Sequence, residues 1–264
     1  MIEIKPIPAF KDNYIWIAYN VSSRQALVVD PGEAQPVLDF IAKHKLSIDA
    51  ILITHHHYDH TGGLDQLLAS DALGHANIPV YGPNSGKIPA INHPCAQATQ
   101  FTIDWLNRTF TSLLTPGHTL DHTCFYSAEQ TPWLFCGDTL FSVGCGRLFE
   151  GTAKQMNTSL NELAALPDQT LVFAAHEYTR QNIEFALKVE PNNSALLSYK
   201  AAVELLRADN KASLPSTIEL EKTVNPFLRS SQSAVVKAAC EYSKTTLSEG
   251  LETFTQLRAW KDAS

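Results

Sequence analysis

Short apolar, β-branched and aromatic runs dominate the first two thirds of the chain. YIWIAYN (14–20), ALVVD (26–30), AILIT (50–54), PVYG (79–82), TSLLT (111–115), HTCFYS (122–127) and WLFCGD (133–138) are bounded by Gly, Pro or Asp, the pattern of buried strands. EAQPVLDFIAKHK (33–45) and GGLDQLLASDA (62–72) place apolar residues at helical spacing between them. A helix from Thr158 to Leu166 then precedes a last strand, TLVFAAH (170–176). Strands alternating with helices predict sheets covered by helices, an α/β layered domain.

From Glu177 onward the chain reads as mostly helix. RQNIEFALKVE, SALLSYKAAVELLRA, SQSAVVKAACEYS and LETFTQLRAWK all read as helices, several with Ser or Thr at the cap. Charge changes at the same place: residues 1–176 hold 9 basic and 16 acidic side chains, residues 177–264 hold 11 of each. Two domains are therefore predicted, 1–176 and 177–264.

The whole chain has 264 residues and a formal charge of −7, with no basic stripe to neutralise phosphates, so a nucleic-acid partner is not expected. No apolar run reaches the length of a membrane span, and the start lacks a basic segment followed by an apolar one. Five cysteines, an odd number without a CxxC pair, suit a reducing compartment; a cytoplasmic location and a monomer are expected.

The strongest chemical signal is His55-His56-His57-Tyr58-Asp59-His60, directly after AILIT. In extended backbone, residues two apart point the same way, so His55 and His57 can offer nitrogens to one cation. Asp59 and His60 then face elsewhere and can serve a second. Each site needs about three protein ligands, and the sequence supplies further donors at strand ends: His118 after TSLLT, Asp138 ending WLFCGD and His176 ending TLVFAAH. A carboxylate such as Asp138 can bridge two cations, leaving one of these histidines for each. His56 points away from its neighbours, and Asp30 in VVDPG is placed to hold a ligand imidazole by its other N–H. His44, His75, His93 and His122 have no ligand-like context.

THxHxDH, TPGHT, CGDTLF and a His after a strand, in this order, resemble the binuclear metallo-β-lactamase superfamily. IPAFKDNYIW, VVDPG, CGDTLFSVGCGRLFEGT, AAHEYT and NPFLR make the chain most similar to the hydroxyacylglutathione hydrolases, the glyoxalase II family, over essentially its whole length. The resemblance implies a four-layer αββα sandwich followed by a helical glutathione-binding domain. It implies two divalent metal ions, zinc first and iron or manganese as alternatives, with His55, His57 and His118 on one, Asp59, His60 and His176 on the other, and Asp138 bridging. The implied reaction is hydrolysis of S-D-lactoylglutathione and related 2-hydroxyacyl thioesters, the second step of methylglyoxal detoxification, by a hydroxide between the metals. Asp59 and Asp138 are then catalytic, and Arg147, Tyr178, Arg258 and Lys261 hold glutathione. Arg147 stands where some members have Lys, and Phe149 where they have Tyr. Two other readings predict different metal sites: a mono-iron glutathione persulfide dioxygenase on the same fold, and a non-catalytic metal-binding scaffold with closed coordination.

Overall fold

The computed structural model describes residues 1–70 and 77–264. By packing, the chain divides into two compact units: Met1–Leu114 with Asp121–Gly137, and Thr115–Leu120 with Asp138–Ser264. This division is drawn by contacts, whereas the boundary at residue 176 follows charge and periodicity.

The first unit opens with a six-stranded sheet, in the order β1 (Ile2–Ala9), β2 (Asn13–Asn20), β3 (Gln25–Val29), β4 (Ser47–Leu52), β5 (Val80–Pro83) and β6 (His93–Cys95). β1 to β3 run antiparallel, β3 to β6 parallel. A parallel neighbour needs a crossover, and α1 (Ala34–His44) supplies it between β3 and β4. Its buried Ala34, Val37 and Ile41 recur at helical spacing and join Ile17, Val28, Ile51 and Val80 in one core. β1 is absent from the strands read in the sequence because Pro6 and Pro8 interrupt its pattern. It lies at the sheet edge, where a strand tolerates residues without an N–H.

β7 (Gln100–Ile103), β8 (Arg108–Leu114), β9 (Thr123–Ser127) and β10 (Trp133–Gly137) form a second, antiparallel run in this unit. Phe110, Phe125 and Phe135 are buried along it, and Tyr81 of β5 stacks on Phe101 of β7 with ring centroids 3.7 Å apart. Of the helix expected over 62–72, α3 (Leu64–Leu68) forms, and a separate short helix, α2 (Tyr58–Thr61), precedes it. The junction is glycine because a Cβ on Gly63 would stand 2.4 Å from the Ala34 nitrogen. Asp71 and Ala72, the end of that expected helix, and His75 lie outside the described residues.

The second unit contains the hairpin β11 (Leu140–Phe141) and β12 (Gly144–Cys145), then α4 (Ala153–Ala164) and β13 (Leu171–Ala174). α5 (Thr179–Val189), α6 (Ser194–Ala208), β14 (Ser216–Thr217), α7 (Ile218–Val224), α8 (Ser233–Ser243) and α9 (Leu251–Asp262) follow. α4 starts at Ala153 rather than Thr158 because Thr152 and Gln155 form a capping box. Ile183, Ala186, Leu196, Val203 and Val224 pack around Val143 of the hairpin turn. Val143 has φ 59°, costly for a β-branched residue, and its N–H donates to the buried Glu221 carboxylate at 2.8 Å. Among the described residues no helix is long and apolar enough to cross a membrane.

Candidate functional site

In the first unit, the connection from β4 into α2 carries His55, His57, Asp59 and His60. Behind it stands Asp30, a buried carboxylate whose own backbone is left-handed at φ 51°. Asp30 Oδ1 accepts from the Thr54 N–H at 2.7 Å, and Oδ2 from the Thr54 hydroxyl at 2.7 Å. Oδ2 also lies 3.0 Å from His60 Nδ1. A carboxylate only accepts, so His60 carries its proton on Nδ1 and its lone pair on Nε2. The Thr54 hydroxyl has spent its proton on Asp30, so at 3.1 Å it accepts from His55 Nδ1. That also fixes the His55 lone pair on Nε2, and one buried carboxylate thus sets the tautomer of two histidines.

The donor atoms stand in pairs. His55 Nε2 lies 3.1 Å from His57 Nδ1, and His60 Nε2 lies 3.5 Å from Asp59 Oδ2, whose carboxylate also accepts from Asn13 Nδ2 at 3.0 Å. Ligands about 2.0–2.1 Å from one tetrahedral cation stand about 3.3 Å apart, so both pairs fit the role of shared ligands. Gly137 crosses behind them with φ +45°; a Cβ there would lie 2.4 Å from Thr54 Oγ1 and 2.8 Å from His122 Nε2. His122 is fully buried and stacks on His55 at 5.0 Å, a packing role that its sequence context did not reveal. His56 Nδ1 is instead 3.3 Å from Asp121 Oδ1.

In the second unit, Asp138 has an imidazole on each oxygen. Oδ2 lies 3.4 Å from His118 Nε2 and Oδ1 lies 3.3 Å from His176 Nε2, the arrangement of a carboxylate that can join two cations. His118 Nδ1 sits 2.8 Å from the Arg147 carbonyl, which accepts its proton and leaves the lone pair on Nε2. His176 stacks on Tyr178 with centroids 4.6 Å apart.

Asp138 and His118 line a cavity of about 310 Å³ in this unit, together with Arg147, Tyr178, Arg258 and Lys261. All four residues read from the sequence as glutathione contacts thus line one cavity. Arg147 is exposed, while Arg258 is buried and donates to the Cys145 carbonyl at 3.1 Å. The Lys261 ammonium donates to Asn182 Oδ1, and Asn182 Nδ2 donates to the Ser142 carbonyl at 2.8 Å. Burial first, then the neighbouring Arg258 charge, bring the Lys261 ammonium down to about 8. Burial pushes the Cys145 thiol up, which suits a structural thiol rather than a nucleophile.

Comparison with known proteins matches the Metallo-beta-lactamase superfamily to residues 12–176 and the Hydroxyacylglutathione hydrolase C-terminus to residues 177–264. A hydroxyacylglutathione hydrolase of Aliivibrio fischeri is 48% identical over 262 residues, 99% of each chain. The chain belongs to the hydroxyacylglutathione hydrolase family. A second member, from Shewanella halifaxensis, is 47% identical over 262 residues, again 99% of each chain. The solved BLEG-1 B3 metallo-beta-lactamase is similar with a TM-score of 0.62 and 23% identity, covering 86% of this chain and 99% of that one. The metallo-β-lactamase fold implied by the motifs is therefore the fold of this family member.

Sequence reasoning passed over Thr54, Asn182 and Asp262. Thr54 stands inside THHH and relays Asp30 to His55. Asn182 acts across the fold and left no local signal. Asp262 lies one helical turn after Arg258 and accepts from it at 2.9 Å, a spacing that could have been read.

Proposed function

We propose that the protein hydrolyses the thioester of S-2-hydroxyacylglutathiones, S-D-lactoylglutathione above all, to glutathione and the 2-hydroxy acid. The observation that carries this reading is the shared cavity: Asp138 and His118 line the same space as Arg147, Arg258 and Lys261. Metal-ligating groups and anion-holding groups around one cavity suit a substrate with a reactive carbonyl at one end and carboxylates at the other.

His55, His57 and His118 are proposed to hold one divalent ion, and Asp59, His60 and His176 the other, with Asp138 on both. The donor spacings and the tautomers of His55, His60 and His118 support this, and neutral imidazole with carboxylate suits zinc, iron and manganese alike, with zinc the first choice. When bound, two such ions would supply Lewis acidity, which would lower the pKa of water toward neutrality and stabilise negative charge on the carbonyl oxygen. The protein's part is to keep lone pairs aimed, through Asp30 and the Arg147 carbonyl, and to hold the glutathione carboxylates on Arg147, Arg258 and Lys261. Tyr178, stacked on His176, offers its hydroxyl to the peptide. Residues 1–176 are read as the catalytic domain and 177–264 as the glutathione-binding one. A cytoplasmic location belongs to the same reading.

Purified protein, loaded with zinc, should abolish the thioester absorbance of S-D-lactoylglutathione, lose that activity on chelation, and contain two metal ions per chain by elemental analysis. Loaded protein that leaves the thioester intact would overturn the reading. Protein purified from its own source without added metal that holds one iron per chain and takes up oxygen would replace it with the dioxygenase.

A further inference from the structure

The cavity wall holds a carboxylate as well as its cations. Asp262 Oδ1 accepts from Arg258 Nη2 at 2.9 Å and from Arg147 Nε at 3.3 Å, so one oxygen draws on both guanidiniums. Asp262 lines the cavity beside them, and its side chain is 34% exposed, open to exchange with solvent and solutes. It is also the last residue of α9, where the negative end of the helix dipole disfavours a carboxylate. An anionic side chain kept where the helix opposes it, and bonded to two groups that suit an incoming anion, points to a task in the cavity rather than in the helix.

We propose that Asp262 is an internal counter-ion that stands in for a substrate carboxylate on Arg147 and Arg258, so that glutathione binds by exchange and leaves readily. The proposal rests on the glutathione reading above. Substrate and product share the same carboxylates, so a competitor inside the site loosens both. The exposed Arg147 contact, long and made through a single N–H, is the one that yields first. Arg258, bonded to the Cys145 carbonyl as well, stays in place. Removing the carboxylate leaves the cavity one charge more positive and strengthens its attraction for an anion.

The test is calorimetric titration of glutathione into wild type and Asp262→Asn, with Asp262→Ala as a second variant and thermal unfolding of each. Both variants should bind glutathione about fivefold to tenfold more tightly, with a matching fall in KM and a thermal midpoint no lower than wild type. Equal or weaker binding by the variants, with wild type binding normally, would overturn the proposal and make Asp262 a positioning residue for the arginines. Wild type that neither binds glutathione nor cleaves its thioesters would instead remove the functional reading, and this proposal with it.

Discussion

The histidine loop of the first unit and the cavity of the second solve opposite problems. In the loop, four donors lie within six consecutive residues, and hydrogen bonds through Thr54 and Asp30 fix which nitrogen of His55 and of His60 carries the proton. In the cavity, the charged groups come from residues as far apart as Arg147 and Asp262, and one of them, Arg147, is 57% exposed. Cation ligands must be dehydrated and aimed before the ion arrives, so fixed hydrogen bonds orient them, from Thr54 next in the chain and from Asp30 and Asn13 elsewhere in the unit. Groups that hold a departing anion must also let go, and here they come from distant segments, with the exposed Arg147 beside the buried Arg258 and the part-buried Lys261.

If that contrast holds, substitutions in the two regions should differ in kind. Asp138→Ala tests it most severely: kcat/KM for the thioester should fall by at least about a thousandfold while the thermal midpoint of the metal-free protein changes little. A loss of fold in proportion to the loss of turnover would favour a metal-stabilised scaffold. Asp30→Asn should lower metal affinity by about 10- to 100-fold in a competition with a chromogenic chelator, because an amide cannot accept from Thr54 and His60 together. Unchanged affinity would break the tautomer account.

The mildest effect belongs to the cavity. Lys261 is held near 8, below its ordinary 10.5, so its charge is lost as pH rises through 8. KM for the anionic substrate should rise about threefold to fivefold between pH 7 and 9 with kcat changing less. Stability moves the other way: between about 8 and 10.5 the unfolded chain holds a proton that the folded chain has released, so this group's contribution grows with pH. A KM flat to pH 9 would take Lys261 out of the binding wall.

What could be read in the sequence follows the same division. The loop was legible because its information is local: an extended run places His55 beside His57, and a turn carries Asp59 and His60 onward. β2, β3 and β4 were legible as apolar runs, and β1 was hidden because prolines mark an edge strand no differently from a loop. α4 began early for a local reason, the Thr152 cap, that periodicity alone undervalues. The cavity resisted because its contacts are made by folding. Nothing near Asn182 in the sequence announces Lys261, and nothing near Arg147 announces Asp262. His122 has no ligand-like neighbours in sequence, yet it has His55 as a neighbour in space.

Position 30 has a consequence for how this chain can vary. Its left-handed backbone is comfortable for Gly, Asn and Asp. Its duty to accept from Thr54 twice and from His60 is met by carboxylates. Only aspartate belongs to both sets: glycine and asparagine keep the shape and lose the acceptor, and glutamate keeps the acceptor and loses the shape. A residue bound by conformation and by chemistry at once has no neutral neighbours, and drift elsewhere in the loop must pass around it.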